Sequence, residues 1–396
     1  MFKGYLTKVF SLFFILGFVF IPLTFYGLYF QYGLTRFVFL KPVAFIQNHF
    51  FTGAIQNIDF SSDTIGLNIL LCLLLMMAFL LILLLYFFKI RSDKIDQVFK
   101  SVSVYYIAAI LLKYGFDKVF KQQFALPEPN ILYTNFGSLT RDTLFWSTMG
   151  LSHTYSVVTG SIEVLTGILI LLRRTRVFGF CLAIGVLLNI LLINFSFDIS
   201  VKTFTAFLLA VVLFNGYPYL KTIYAFFVQH KQVQLPAQTA KENYKWIGVL
   251  LSTAIICYCL FPYLSLGNFN GDNVQRPLLH GAYNIERFTI GADTLNSCDF
   301  PYKRFFIHRD NYIIFQRQDD RMVDYFFDDD PVNKQLILQD YNKSKIIVAY
   351  SYDIKTGDLR LTFGNSTKWV IQSKALNWKA LPALQDNTHY TIDEIK

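Results

Sequence analysis

Long apolar runs dominate the first two thirds of the chain, and short polar segments separate them. Several of these runs reach the about 20 apolar residues that a helix needs to cross a bilayer. On this basis we predict seven membrane-spanning helices. Their predicted bounds are about 9–30, 65–88, 101–118, 156–172, 177–195, 200–220 and 246–265.

The pattern changes to a period of two after the last of these runs. Apolar and polar residues alternate in segments such as "YIIFQR", "SKIIVAYSY" and "TKWVIQS", and turn signals such as "RDN" and "KTGD" separate them. Alternating runs at about ten-residue spacing are typical of an antiparallel meander. We therefore predict a barrel-like antiparallel β domain over about 266–396, which either holds a small apolar ligand or is filled by its own side chains.

Composition and charge place the chain in a membrane and orient it. Hydrophobic residues make up 54% of the 396 residues and charged residues only 16%, which excludes an ordinary soluble protein. Loops on one side of the predicted spans hold 13 Lys and Arg, and loops on the other side hold six. Because cytoplasmic loops carry the basic excess, we predict a multi-pass inner-membrane protein with a cytoplasmic N-terminus and an extracytoplasmic C-terminal domain.

The net charge of +9 comes from the residues before 266, since the predicted β domain is close to neutral. This distribution indicates contact with the headgroups of the lipid bilayer, and we expect no nucleic-acid partner.

Three polar residues fall in the middle of three consecutive predicted spans. Counted at about 1.5 Å per residue, Lys113, Glu163 and Asn189 lie about 17, 15 and 18 Å from the cytoplasmic boundary. A charge at this depth needs a partner, so we predict that Glu163 faces Lys113 and that Asn189 bridges the two. The pair either stays ionised or becomes neutral by proton transfer, and it serves either a binding site or helix packing.

A second polar layer lies nearer the outer surface, where "INFSFDISVK" joins two predicted spans. It contributes Asn194, Asp198 and Lys202 as further candidate binding residues. Charged side chains near the membrane–water interface cost little free energy, so the alternative is that these residues are ordinary surface residues.

The sequence offers little for a metal or a haem. Among the six histidines, only His153 lies near a predicted span of the bundle, whereas b-type haem needs a pair of ligands from facing helices. The acidic run at 328–330 lacks the alternating spacing of a calcium loop. We therefore expect neither haem nor metal.

Several motifs recur in the central spans. The third predicted span carries a basic residue followed by Gly and Lys. The fourth carries G-x-x-E and a later Gly, and two arginines follow its end. A polar loop follows the fifth. The residues are Lys113, Gly115 and Lys118, then Gly160, Glu163, Gly167, Arg173 and Arg174, then Asn194, Asp198 and Lys202. In these features the segment 101–228 resembles the DoxX-like family of small four-helix membrane proteins.

The resemblance implies a membrane all-α protein with a four-helix bundle at 101–228. Two N-terminal spans (1–100), a linker with the seventh span (229–265) and the β domain (266–396) would flank it. Some members resemble membrane subunits of quinone-linked oxidase systems. The resemblance therefore implies an accessory or redox-associated subunit, a quinone as cofactor, and a periplasmic or membrane redox protein as partner.

Two other functions stay open. One is a non-enzymatic membrane scaffold or assembly factor, in which the charged layer only orders the helices. The other is a small-molecule transporter, which the lack of a visible inverted repeat disfavours. The sequence identifies no catalytic residue.

Overall fold

A computed structural model describes residues 2–23, 30–51, 58–90, 92–234, 245–364, 369–385 and 391. The chain forms two compact units. The helical unit comprises Met1–Gln123 and Thr154–Phe269, and the β unit comprises Phe124–His153 and Asn270–Lys396. The α-helices are α1 (Phe2–Phe20), α2 (Phe30–Phe50), α3 (Ile65–Phe87), α4 (Asp93–Val119), α5 (Pro129–Leu132), α6 (Arg141–Leu151), α7 (His153–Leu171), α8 (Arg176–Ser196), α9 (Lys202–Phe227) and α10 (Lys245–Leu266).

Six helices are long and apolar enough to cross a membrane: α3, α4, α7, α8, α9 and α10. They confirm the last six predicted spans. The first predicted span corresponds to α1, a shorter apolar helix, and its residues 24–29 lie outside the described part of the chain. Arg91 and Lys241, which contribute to the basic count of the loops, also lie outside it.

Helix α2 was not predicted, because its buried face mixes polar and apolar residues. Gln31 and Thr35 on that face are buried, and so are Phe39 and Val43. The Gln31 amide donates to the carbonyl oxygens of Phe18 (3.2 Å) and Val19 (3.1 Å), and the Thr35 hydroxyl donates to that of Phe20 (2.7 Å). The last carbonyls of a helix have no partner within the helix, so α2 caps the carboxyl end of α1.

Four helices of the helical unit close into a ring in the order α4, α7, α8, α9. Small residues allow the close approaches: a Cβ on Gly160 would lie 2.6 Å from the Gly115 carbonyl oxygen, and one on Gly179 would lie 2.8 Å from the α7 backbone. Helices α8 and α9 pack as a hairpin, and the Asn215 amide of α9 donates to the Ser103 hydroxyl of α4 at 2.6 Å. This ring is the predicted four-helix bundle.

Asp63, in the turn before α3, fixes the start of α9. Its carboxylate accepts the backbone N–H groups of Lys202 (3.0 Å) and Thr203 (2.6 Å). Burial would raise the pKa of Asp63, but these N–H donors outweigh it and lower that pKa overall. A carboxylate at a helix amino terminus also meets the positive end of the helix dipole.

The β unit contains a closed antiparallel barrel. Its strands are β1 (Gly281–Ile290), β2 (Asp293–Thr294), β3 (Tyr302–Ile307), β4 (Tyr312–Arg317), β5 (Met322–Asp330), β6 (Gln335–Gln339), β7 (Lys345–Asp353), β8 (Asp358–Phe363) and β9 (Trp369–Leu376). Strands β1 and β3 to β9 pair in sequence order, and β9 returns to β1, while the short β2 adds a hairpin to β1. The predicted barrel-like domain is confirmed, and residues 365–368 lie outside the described part.

Side chains of the barrel interior pack into one apolar core. Alternate residues along the strands point inward, as the period of two predicts. Tyr283, Phe288, Phe305 and Phe315 are among the buried residues of this core, and the Tyr283 and Phe305 rings stack at 5.0 Å. This packing favours the filled barrel over the ligand-holding one.

The segment between α4 and α7, Phe124–His153, belongs to the β unit, and we call it the strap. The sequence had assigned these residues to the helical bundle at 101–228. In the strap, the Tyr133 ring stacks on Phe306 at 5.9 Å and lies under the Arg304 guanidinium. The Asn135 amide donates to Asp320 at 3.0 Å. The β unit is therefore assembled from two separate stretches of chain.

Glu128 is the buried carboxylate that holds the strap on the barrel. Its side chain is only 8% exposed and accepts from Arg309 Nε, from the Arg309 backbone N–H (3.3 Å), and from His280 Nε2 (2.7 Å). Burial opposes ionisation, but His280 and Arg309 outweigh it and lower the pKa of Glu128 to about 2. The carboxylate is therefore ionised over the whole neutral range.

Replacing Glu128 by Gln should destabilise the β unit by about 3 kcal/mol, because the half-buried Arg309 then loses the carboxylate that compensates its charge. In the unmodified protein, the folded pKa lies below the ordinary value of 4.5. The stabilisation is therefore complete above pH 4.5 and is lost as the pH falls towards 2. Tryptophan-fluorescence melting of the full chain in detergent would measure both effects. The matched control is Glu286→Gln, since Glu286 is exposed. Equal melting of the two variants would contradict the assignment.

Gly160→Ala should weaken the α4–α7 contact by about 2 kcal/mol, because overpacking against backbone atoms cannot relax by side-chain rotation. The new Cβ would lie 2.6 Å from the Gly115 carbonyl oxygen. Gly185→Ala on α8 is the control, since a Cβ there meets nothing within 4 Å and Ala favours a helix. Melting of the detergent-solubilised full chain checks the difference, and a Gly160→Ala protein as stable as the control would refute the close packing.

Candidate functional site

Helix α4 carries three charged residues in its last two turns: Lys113, Asp117 and Lys118. Lys113 and Asp117 are four residues apart and share one face of the helix. Lys118 is five residues from Lys113, which turns it about 140° around the axis. The two lysines therefore face different neighbours.

Lys118 forms an ion pair with Glu163 of α7. Its ammonium lies 2.8 Å from Oε1 and 2.7 Å from Oε2 of the carboxylate. Only 7% of Lys118 and 4% of Glu163 is exposed. The buried Ser156 hydroxyl donates to the Lys118 carbonyl oxygen at 2.8 Å, so α7 contacts this turn of α4 twice. Both charges are compensated inside the protein.

The contact between Gly115 and Gly160 decides which lysine meets Glu163. With these backbones touching, Lys118 lies one turn beyond Gly115 on the face that α7 covers. Side chains on a helix lean towards its amino terminus, so the long Lys118 chain reaches back to the level of Glu163. Lys113 lies on another face of α4 and cannot reach it.

Lys113 takes part in a second cluster, which joins α4 to α10. Its ammonium lies 2.5 Å from Asp117 Oδ2, and the Tyr263 hydroxyl of α10 donates to Asp117 Oδ1 at 2.5 Å. The ammonium also lies 4.6 Å from the centre of the Tyr114 ring, a cation–π distance. The Lys113 and Asp117 side chains are 21% and 18% exposed, so this cluster is partly open where the Lys118–Glu163 pair is closed.

The predicted Lys113–Glu163 pair with a bridging Asn189 is therefore wrong. Glu163 does have a buried lysine partner, but the partner is Lys118. Asn189 is exposed on α8 and contributes to neither cluster. The depth of a residue along its helix does not determine the face on which its side chain lies.

The predicted outer layer is found in the turn between α8 and α9, where it has a structural role. The buried Asn194 amide donates to the Thr205 hydroxyl at 3.0 Å. Lys202 lies 2.7 Å from Asp198 and 3.8 Å from Asp63, and Asp198 itself is largely exposed. These residues close a hairpin, and the three do not meet the Lys118–Glu163 pair.

Sequence reasoning missed Asp117 and Tyr263 as members of a site. The i, i+4 spacing of Lys113 and Asp117 was a signal for the first, because such pairs meet on a helix. Tyr263 carried no signal of its own, since it is one aromatic residue in an apolar span far along the chain. A third residue, Tyr106, has a buried hydroxyl without a hydrogen-bond partner in the described structure.

Comparison with known proteins gives one relative of interest. The uncharacterized protein YwoB of Bacillus subtilis (strain 168) is 32% identical over 108 residues, which cover 27% of this chain and 68% of YwoB. No family model matches the chain, and no solved structure matches it.

The Lys118–Glu163 pair should behave as one unit in a double-mutant cycle. Lys118→Met or Glu163→Gln alone should lower the free energy of unfolding by about 3 kcal/mol, because each leaves the other member of the pair buried without its charged partner. The double variant should recover most of that loss. Lys113→Met is the matched control and should cost about 1 kcal/mol, since its pair is partly solvated. Thermal melting in detergent measures all four variants. Additive losses in the double variant would show that the pair is not coupled.

Proposed function

The chain belongs to the family of the Bacillus subtilis protein YwoB, and we propose that it is an accessory subunit of a quinone-linked redox system in the cell membrane. YwoB is itself described only as uncharacterized, so the proposal does not come from its name. It follows the resemblance of residues 101–228 to the DoxX-like family. The observation that carries it is the partly open Lys113–Asp117–Tyr263 cluster between α4 and α10.

The donor set of this cluster suits a quinone headgroup, whose carbonyl oxygens accept hydrogen bonds. An ammonium has three N–H donors, and Asp117 takes one of those of Lys113. The buried Tyr106 hydroxyl, two turns earlier on α4, lies at the contact with α1, where its ring stacks on Phe18 at 4.2 Å. Lys113 would therefore hold the headgroup with its remaining N–H donors.

A bound quinone would supply electron-acceptor chemistry, and the chain would supply orientation and a proton site. Asp117 receives hydrogen bonds from both Lys113 and Tyr263. A carboxylate within hydrogen-bond reach of a ligand can exchange a proton with it. Asp117 is the residue to which we assign that role, because its side chain is 18% exposed. Glu163 is not assigned it, because its side chain is only 6% exposed and is closed off by Lys118.

We further propose an inner-membrane topology with the β unit outside the cytoplasm. In this topology the shorter α1 crosses together with the six apolar helices, and seven crossings would put the two ends of the chain on opposite sides. The basic excess in alternate loops favours a cytoplasmic N-terminus. The β unit, with its filled barrel, would then dock a periplasmic or membrane redox protein by its surface.

A second candidate function is a non-enzymatic scaffold or assembly factor. The closed Lys118–Glu163 pair favours it, since two buried charges that satisfy each other fix helix packing without needing a ligand. In that case the Lys113 cluster would only join α10 to the bundle. Binding of a quinone separates the two proposals.

Lys113→Met should weaken the binding of a short-chain naphthoquinone to the purified full chain about tenfold. One charge-assisted hydrogen bond contributes about 1.5 kcal/mol or more, which corresponds to that factor. The control is Lys94→Met, an exposed lysine of the same helix. Titration followed by tryptophan quenching or calorimetry would measure the affinity. Failure of the unmodified protein to bind, or equal binding by both variants, would leave the scaffold as the better proposal.

A further inference from the structure

An open groove runs along the helical unit on a different side from the Lys113 cluster. It lies between α1, α4 and α9 and has a volume of about 610 Å³. That size falls in the range of about 300–1,000 Å³ found for small-molecule sites. We call it the α1–α9 groove. Its walls include the rings of Phe10, Phe14 and Phe214.

A small residue of α9, Ala210, leaves space for this groove; it lines the groove and is exposed. On the other side, α1 is held against α9 at Gly17, where a Cβ would lie 2.5 Å from the Phe207 ring. Beyond Ala210 the two helices contact through the Phe14 and Phe214 rings, whose centres are 5.4 Å apart. The opening is apolar and faces outward from the unit, where a membrane would present acyl chains.

One end of the groove is polar. Asp96 accepts from the Ser11 hydroxyl at 2.7 Å, and the nearby Asp93 pairs with Lys8 at 2.8 Å. Lys100 lines the same end and is exposed, and its ammonium lies within ion-pair distance of no carboxylate among the described residues. Asp96 keeps its charge but is bonded to Ser11, so the Lys100 ammonium is the group at this end that can contact a phosphate.

The distance along the groove matches one leaflet. Ala210 and Pro218 both line it, and eight residues of helix span about 12 Å. Half of the hydrocarbon core is about 15 Å thick. Lys100 lies where the sequence places the membrane boundary, at about residue 101 of its span. A chain in the groove would thus end near the bilayer centre with its headgroup at Lys100.

From these observations we propose that the α1–α9 groove binds one anionic phospholipid. The phosphate contacts the Lys100 ammonium, and one acyl chain lies against Phe10, Phe14 and Phe214 over Ala210. The proposal goes beyond the redox function and does not depend on it, since the groove shares no residue with the Lys113 cluster. It assigns a structural lipid to the contact of α1 with the bundle.

Native mass spectrometry of the full chain, released from mixed micelles of phosphatidylglycerol and phosphatidylcholine, tests the site. We expect the protein to retain one phosphatidylglycerol molecule and to bind it about fivefold more tightly than phosphatidylcholine. That preference is the one expected for the attraction of an anionic lipid to a single lysine near the membrane surface. Lys100→Gln should lose the preference but keep lipid, and Ala210→Phe should lose the lipid altogether. The matched controls are Lys94→Gln and Ala254→Phe, which change exposed residues outside the groove.

Circular dichroism and thermal melting check that each variant folds. If Ala210→Phe does not fold, the loss of lipid preference in Lys100→Gln still tests the proposal. Retention of lipid by a folded Ala210→Phe protein, or equal binding of the two phospholipids by the unmodified protein, would overturn the proposal. Displacement by inorganic phosphate alone would also overturn it, because the acyl chain would then contribute nothing. Tighter binding of a polyprenyl phosphate would reassign the groove to an isoprenoid.

Discussion

The backbone contact of α4 with α7 at Gly115 and Gly160 is the constraint on which the rest of the helical unit depends. Two helices approach this closely only where neither has a side chain at the crossing. The contact sets the register, and the register puts Lys118 over Glu163 in a place that excludes solvent. A buried ion pair needs this close hydrogen-bonded geometry, because the desolvation of the two charges opposes folding by about as much as their attraction favours it.

The same contact divides α4 into two faces with different properties. The face towards α7 is closed, since Lys118 and Glu163 satisfy each other. The face towards α10 stays partly open, and there Asp117 serves Lys113 and Tyr263 at once. This difference in exposure moves the functional interpretation from the closed pair to the partly open cluster. Position along the helix does not separate the two, because Lys113 and Asp117 are within one or two turns of Lys118.

Much of the fold followed from periodicity, and most of the site did not. The six apolar spans and the alternating strands are properties of single segments, so the sequence contains them directly. Helix α2 escaped prediction because its buried face mixes polar and apolar residues. Gln31 and Thr35 on that face bind the end of another helix. The Lys118–Glu163 pair depends on the face and register of two helices, which Gly115 and Gly160 determine only once their contact is known.

The strap adds a further consequence for the helical unit. Lys118 lies in the last turn of α4, the strap begins at Phe124, and α7 begins where the strap ends. Glu128 fixes this segment on the barrel by charge-assisted hydrogen bonds, which are the stronger kind. The two helices that carry the buried pair are thus covalently continuous with a segment that belongs to the β unit. A partner that displaced the strap would act on the chain next to Lys118, whereas one that bound the far strands of the barrel would not.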